Sequence, residues 1–177
     1  EWLSKSDSRV FWLKAGPGFG KSAVSVQLIK KRPEIFVANW FCDHQSTVLS
    51  DPLRALTTIA YQLSLKIENY RSNLLQQLGL GRSSDISQAL DQRQQISKLS
   101  LPELFRFLLS EPLSRNIPHD HQYIVLIDAL DEAQTANGNN PLAALISSRL
   151  SQLPSWIQFV LTSRPDDAVT RQLQIFN

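Results

Sequence analysis

Residues 123–128, Tyr-Ile-Val-Leu-Ile-Asp, constrain the fold more than any other stretch of the chain. The run is strand-sized. Apolar residues occupy both of its alternating faces, so both must be buried, as in the interior of a parallel sheet. Parallel strands require long crossovers, usually helices, and the flanking sequence supplies them.

Val10–Lys14 and Ile157–Thr162 read as further buried strands, and the β-branched and aromatic Ile35–Cys42 as a fourth. Lys21–Lys31 places Val24, Leu28 and Ile29 at helical spacing, with basic residues at its end and Pro33 beyond. Ser50-Asp51-Pro52 reads as a helix start, with the helix running to about Ile67. Tyr70–Leu78, Pro102–Leu109, Leu142–Leu150 and Asp166–Gln174 read as four more helices. Residues 79–100 are polar and are expected to form a flexible insertion with a short helix near 86–91. There is no internal repeat. The expected class is α/β, a mostly parallel sheet with helices on both faces.

The 177 residues, 42% hydrophobic and 19% charged, fit a single globular domain. A net charge of only +2 argues against a general nucleic-acid partner, for which Lys and Arg clustered with aromatics between them would be expected. One cysteine, Cys42, cannot form an internal disulfide, which favours a reducing, cytoplasmic compartment. No apolar run reaches membrane-spanning length, so no membrane partner is expected. The chain opens at Glu1-Trp2-Leu3 and contains no Met, and it reads as a piece of a longer multidomain protein.

In open parallel sheets ligands sit at the C-terminal ends of strands. Three predicted strands end in chemically useful residues. After the first comes Ala15-Gly16-Pro17-Gly18-Phe19-Gly20-Lys21-Ser22-Ala23. A glycine-rich loop feeding a helix N-terminus is an anion cradle. Residues 16–23 would hold phosphates, Lys21 would reach the β- and γ-phosphates, and the Ser22 hydroxyl would ligate Mg²⁺. Ala15 stands where the strict motif has Gly; Ala serves there if its φ is negative.

The second strand end is Asp128-Ala129-Leu130-Asp131-Glu132. Asp128 is placed to hold Mg²⁺. A further carboxylate is needed to orient the attacking water and take its proton. If the segment stays extended, Asp131 shares the parity of Ala129 and faces the same side. Asp131 is the first candidate and Glu132 the second. The third end is Ser163-Arg164-Pro165, whose Arg164 is placed to contact a γ-phosphate and stabilise charge in phosphoryl transfer.

Together "WLKAGPGFGKS", "YIVLIDALDEA" and "FVLTSRPD" resemble the NACHT domains of the STAND class of P-loop NTPases. "NWFCDHQS" and the following "DPLRALTTIAYQL" resemble that family's second strand and helix. The resemblance implies an ASCE-type P-loop NTPase, a three-layer sandwich with core strand order 5-1-4-3-2. The chain ends about where the fifth strand should begin, so that strand is expected to be missing. The resemblance also implies ATP, or GTP in some members, bound with Mg²⁺. A slow hydrolysis would then switch a larger protein between a closed monomer and a self-associated, signalling form.

Other readings fit less well. A Ras-type GTPase needs Asp-x-x-Gly after the second motif and an Asn-Lys-x-Asp signature, and neither is present. Nothing marks the acceptor lid of a small-molecule kinase. A scaffold with little or no turnover, binding nucleotide or none, remains as the alternative. His119-Asp120-His121 reads as a loop, Cys42-Asp43-His44 as a core-edge cysteine and a loop, and Trp12 and Trp40 as core.

Overall fold

The alternation of apolar runs and amphipathic segments is realised as four parallel strands in the order β1-β4-β3-β2, surrounded by helices. The structure is a computed structural model that describes residues 8–91, 96, 98–115, 117, 122–135 and 137–176. The strands are β1 (Val10–Lys14), β2 (Phe36–Phe41), β3 (Tyr123–Asp128) and β4 (Ile157–Ser163). β3 is central, paired in parallel with β2 through Trp40↔Ile127 and with β4 through Val125↔Phe159. β4 carries β1 on its other side, with Val10 opposite Phe159.

The helices are α1 (Lys21–Lys31), α2 (Pro52–Lys66), α3 (Glu68–Gln77), α4 (Ile86–Asp91), a composite α5 over 101–113, α6 (Pro141–Arg149) and α7 (Asp167–Leu173). Side chains alternate across the sheet as a pleated strand requires. On one face Val125, Ile127, Phe159 and Leu161 join the large core beneath α2–α7. On the other, Ile124, Leu126 and Val160 form a smaller core with Leu28 and Ile29 of α1. The face that α1 presents differs from the expected one. Ser25 is buried while Val24 is 46% exposed, so the packed stripe runs Ser25, Leu28, Ile29. A small hydroxyl lies where a Val was expected, because that turn of α1 sits over the polar end of β3.

Helix ends follow local chemistry. Asp51 accepts the Leu53 N–H and Pro52 occupies the first turn of α2. Ser100 and Glu103 form a reciprocal capping box at the head of α5. α5 is longer than the sequence suggested and is not uniform. Leu101–Phe105 passes into a wide π turn, Arg106–Ser110, and then into Glu111–Leu113. Pro112 has no N–H to give the Leu108 carbonyl one turn back. The buried Tyr70 hydroxyl donates to that carbonyl at 2.7 Å, and burial pushes the Tyr70 phenol well above its usual range. The polar 79–100 stretch contains the expected short helix, and Ile86 and Leu90 of α4 are buried in the main core. His119-Asp120-His121 lies outside the described residues. Among the described residues no helix is long and apolar enough to cross a membrane.

Candidate functional site

β1, β3 and β4 end side by side, and the three polar segments predicted from sequence converge there. They line an open cleft of about 320 Å³ formed by Pro17, Gly18, Gly20, Lys21, Ser22, Ala23, Ala129, Asp131, Glu132 and Arg164.

The glycine loop owes its shape to Gly18 and Gly20, both at φ 77, a conformation costly for residues with a Cβ. Gly20 is the N-cap of α1 and offers no side-chain acceptor, so the first-turn N–H groups have no cap. Ala15 keeps negative φ, as its place in the motif requires, and its N–H continues the sheet to Ser163 O at 3.2 Å. Lys21 curls back: Nζ donates to Ala15 O at 2.7 Å and to Gly16 O at 2.9 Å. Two of its three protons are thus held by the loop. Phe19 stands 79% exposed at the loop tip.

The parity of β3 that sends Val125 and Ile127 to the main core sends Asp128 to the α1 side. Only 2% exposed, Asp128 accepts three hydroxyl hydrogen bonds. Ser22 Oγ donates to Oδ2 at 2.5 Å, Ser25 Oγ to Oδ1 at 2.6 Å and Thr162 Oγ1 to Oδ1 at 2.7 Å. Among the described residues no cationic side chain pairs with Asp128. Sequence reasoning named Ser22 but missed Ser25 and Thr162. Both were legible: Ser25 is one helical turn beyond Ser22, and Thr162 is the last residue on the matching face of β4.

The expectation of an extended segment after Asp128 is overturned. Ala129 adopts φ 53, ψ 45, and Leu130–Ala133 closes into a 3₁₀ turn. The Ala129 N–H donates to Thr162 Oγ1 at 2.9 Å. The tight turn replaces alternation, so both Asp131 and Glu132 line the cleft and parity does not choose between them. Both hold Arg164. Its N–H donates to Asp131 Oδ1 at 2.9 Å, its Nε lies 3.5 Å from Asp131 Oδ2, and its Nη2 donates to Glu132 Oε1 at 2.9 Å. Arg164 therefore faces two carboxylates in this structure.

Cys42 is buried and its N–H donates to Asp128 O at 3.0 Å. Burial first, then the negative field of Asp128, Asp131 and Glu132, pushes its thiol up to about 12. Such an environment disfavours the thiolate that a nucleophile needs. Trp40 is core. Trp12 packs against the core edge, donates to Ser163 Oγ at 2.9 Å and carries the Lys14 ammonium 4.2 Å above its ring. A larger hollow of about 530 Å³ lies beside Ser8 and Arg9, before β1. Among its described lining residues the one charged group, Arg9, is spent on the carbonyls of Pro154 and Ile157.

A family model described as Nephrocystin 3, N-terminal, matches residues 1–164. The chain belongs to that family. Searches of curated proteins and of solved structures each returned no match.

Proposed function

We propose that this member of the nephrocystin 3 N-terminal family is a P-loop NTPase domain of the NACHT type, binding ATP, or GTP, with Mg²⁺. The observation that carries the reading is the 2.5 Å hydrogen bond between Ser22 Oγ and Asp128 Oδ2. It joins the end of a glycine-rich loop to the end of an apolar strand, 106 residues apart. Those two oxygens are the pair that a P-loop site uses around Mg²⁺. The strand order β1-β4-β3-β2 supports the same reading, since it is the 5-1-4-3-2 order of the ASCE core without its first member.

The donor set suits the ion. Ser22 and Asp128 offer hard oxygens, which Mg²⁺ takes in ones and twos while phosphates and waters complete its shell. A nine-tenths-buried carboxylate satisfied only by hydroxyls is also a place where a cation is favourable. When bound, Mg²⁺ would offset phosphate charge and polarise the γ-phosphoryl group. The α1 N-terminus and loop residues 16–23 would cradle the phosphates, with Lys21 leaving its two carbonyls for phosphate oxygens. Arg164 would leave the acidic pair to meet the γ-phosphate. Asp131 and Glu132 are the groups able to take the proton of an attacking water. The switch this implies, slow hydrolysis governing self-association of a larger cytoplasmic protein, belongs to the same proposal.

Calorimetry with Mg·ATP tests it. Lys21→Ala is expected to weaken binding at least about 100-fold, about 2.7 kcal/mol. Affinity within threefold of wild type would refute the cradle. A second reading, an assembly scaffold that binds nucleotide or none and has little or no turnover, is favoured by one observation. Lys21 and Arg164, the two cations that phosphate needs, are both engaged by the protein itself. Single-turnover hydrolysis separates the two readings.

A further inference from the structure

The loop after β2 touches the site at one point. The His44 N–H lies 3.3 Å from Glu132 Oε2, and His44 Nδ1 lies 3.1 Å from the same oxygen. A carboxylate oxygen accepts, so this contact is a hydrogen bond when His44 Nδ1 carries the ring proton. The presentation of His44 is built. Asp43 Oδ1 accepts the Gln45 N–H at 2.9 Å and Asp43 O accepts the Ser46 N–H at 3.1 Å, closing the turn that holds His44.

The two acidic residues are therefore held differently. Asp131 is fixed by the backbone N–H of Arg164, which stays wherever the guanidinium goes. Glu132 has Arg164 Nη2 on Oε1 and His44 on Oε2. The Arg164 side chain is 48% exposed, so its pairs with the two carboxylates face solvent. If it turned to a phosphate, Glu132 would retain His44 as its side-chain partner among the described residues.

We propose that Glu132, rather than Asp131, takes the water's proton and that His44 is its positioning residue, both resting on the nucleotide reading above. His44 holds the carboxylate at the cleft while Arg164 serves the γ-phosphate. In that step the water oxygen bonds to the γ-phosphorus and the β–γ bridging bond breaks. Its electron pair leaves on the diphosphate, and the water proton passes to Glu132, then to solvent. His44 makes no contact with the reacting atoms.

Two measurements test this. The first needs no nucleotide: ¹⁵N shifts of the His44 ring at pH 8, where an ordinary imidazole is neutral. The wild-type ring is expected in its Nδ1–H form, and Glu132→Ala to move it toward Nε2–H. A wild-type ring already in the Nε2–H form overturns the contact. The second is kinetic. His44→Ala is expected to lower kcat about tenfold, a fraction of what a general base supplies, with the Mg·ATP Kd within threefold. His44→Asn places an amide nitrogen where Nδ1 stood and restores kcat to within threefold. His44→Gln places it where Nε2 stood and does not. Equal losses for Ala and Asn, or a kcat for His44→Ala within twofold of wild type, overturn the role. A wild-type chain that neither binds nor hydrolyses Mg·ATP overturns the nucleotide reading itself, a distinct outcome.

Discussion

Asp128 and Tyr70 are both buried polar groups, 2% and 0% exposed, and the molecule surrounds them differently. Tyr70 meets one need. Its hydroxyl satisfies the Leu108 carbonyl that Pro112 leaves without a donor, and the exchange is finished inside the fold. Asp128 is surrounded by three hydroxyls, yet its charge has no cationic partner among the described residues. The fold gains little from a buried charge that an amide of the same shape would not supply. The difference teaches where to look for a ligand: Tyr70 is answered within the fold, whereas a buried carboxylate without a cationic partner is a place that an outside cation would suit.

Three substitutions press on that contrast, in order of expected effect. Asp128→Asn keeps the shape and removes the charge. The Mg²⁺-dependent part of ATP affinity is expected to fall about 30-fold, about 2 kcal/mol, while the thermal midpoint moves by less than about 3 °C. A large loss of stability without loss of Mg²⁺ dependence would make Asp128 structural. Tyr70→Phe should do the reverse. It leaves a buried carbonyl unsatisfied, at about 1–2 kcal/mol, and lowers the thermal midpoint by about 3–6 °C. Nucleotide affinity should not change; if it does, the two regions are not independent. Ala129→Gly is the smallest. It relieves a left-handed residue that costs about 1–2 kcal/mol and adds the entropy cost of glycine, roughly 0.5–1 kcal/mol. The net gain expected is about 0.5 kcal/mol in a denaturant midpoint, with slower turnover as Asp131 and Glu132 loosen.

β3 was legible because burial on both faces leaves no polar residue before Asp128 to blur the pattern, whereas β1, expected as a buried strand, lies at an edge of the sheet with Phe11 41% exposed. β3 matches its expected limits, and α2 begins at the cap that Asp51-Pro52 announced. The cleft residues were legible for a related reason: polar side chains ending an apolar run stand out. What failed was whatever depends on a single dihedral or on the third dimension. Nothing local announces that Ala129, an ordinary alanine, turns left-handed, and the alternation argument for Asp131 broke there. Pro112 fell beyond the expected end of α5, and the π turn ahead of it, with the Tyr70 hydroxyl serving Leu108, could not be read locally. His44 looked like loop because its partner Glu132 is 88 residues away.

The strand order has a kinetic consequence. β1 must find β4 across nearly the whole chain, with Arg9 reaching Ile157 148 residues later. Closing so long a loop before any contact rewards it makes this pairing slow relative to the helices. The glycine loop hangs from β1 and Arg164 from β4, so the cleft requires that pairing. A ligand that fits it would recognise only finished molecules.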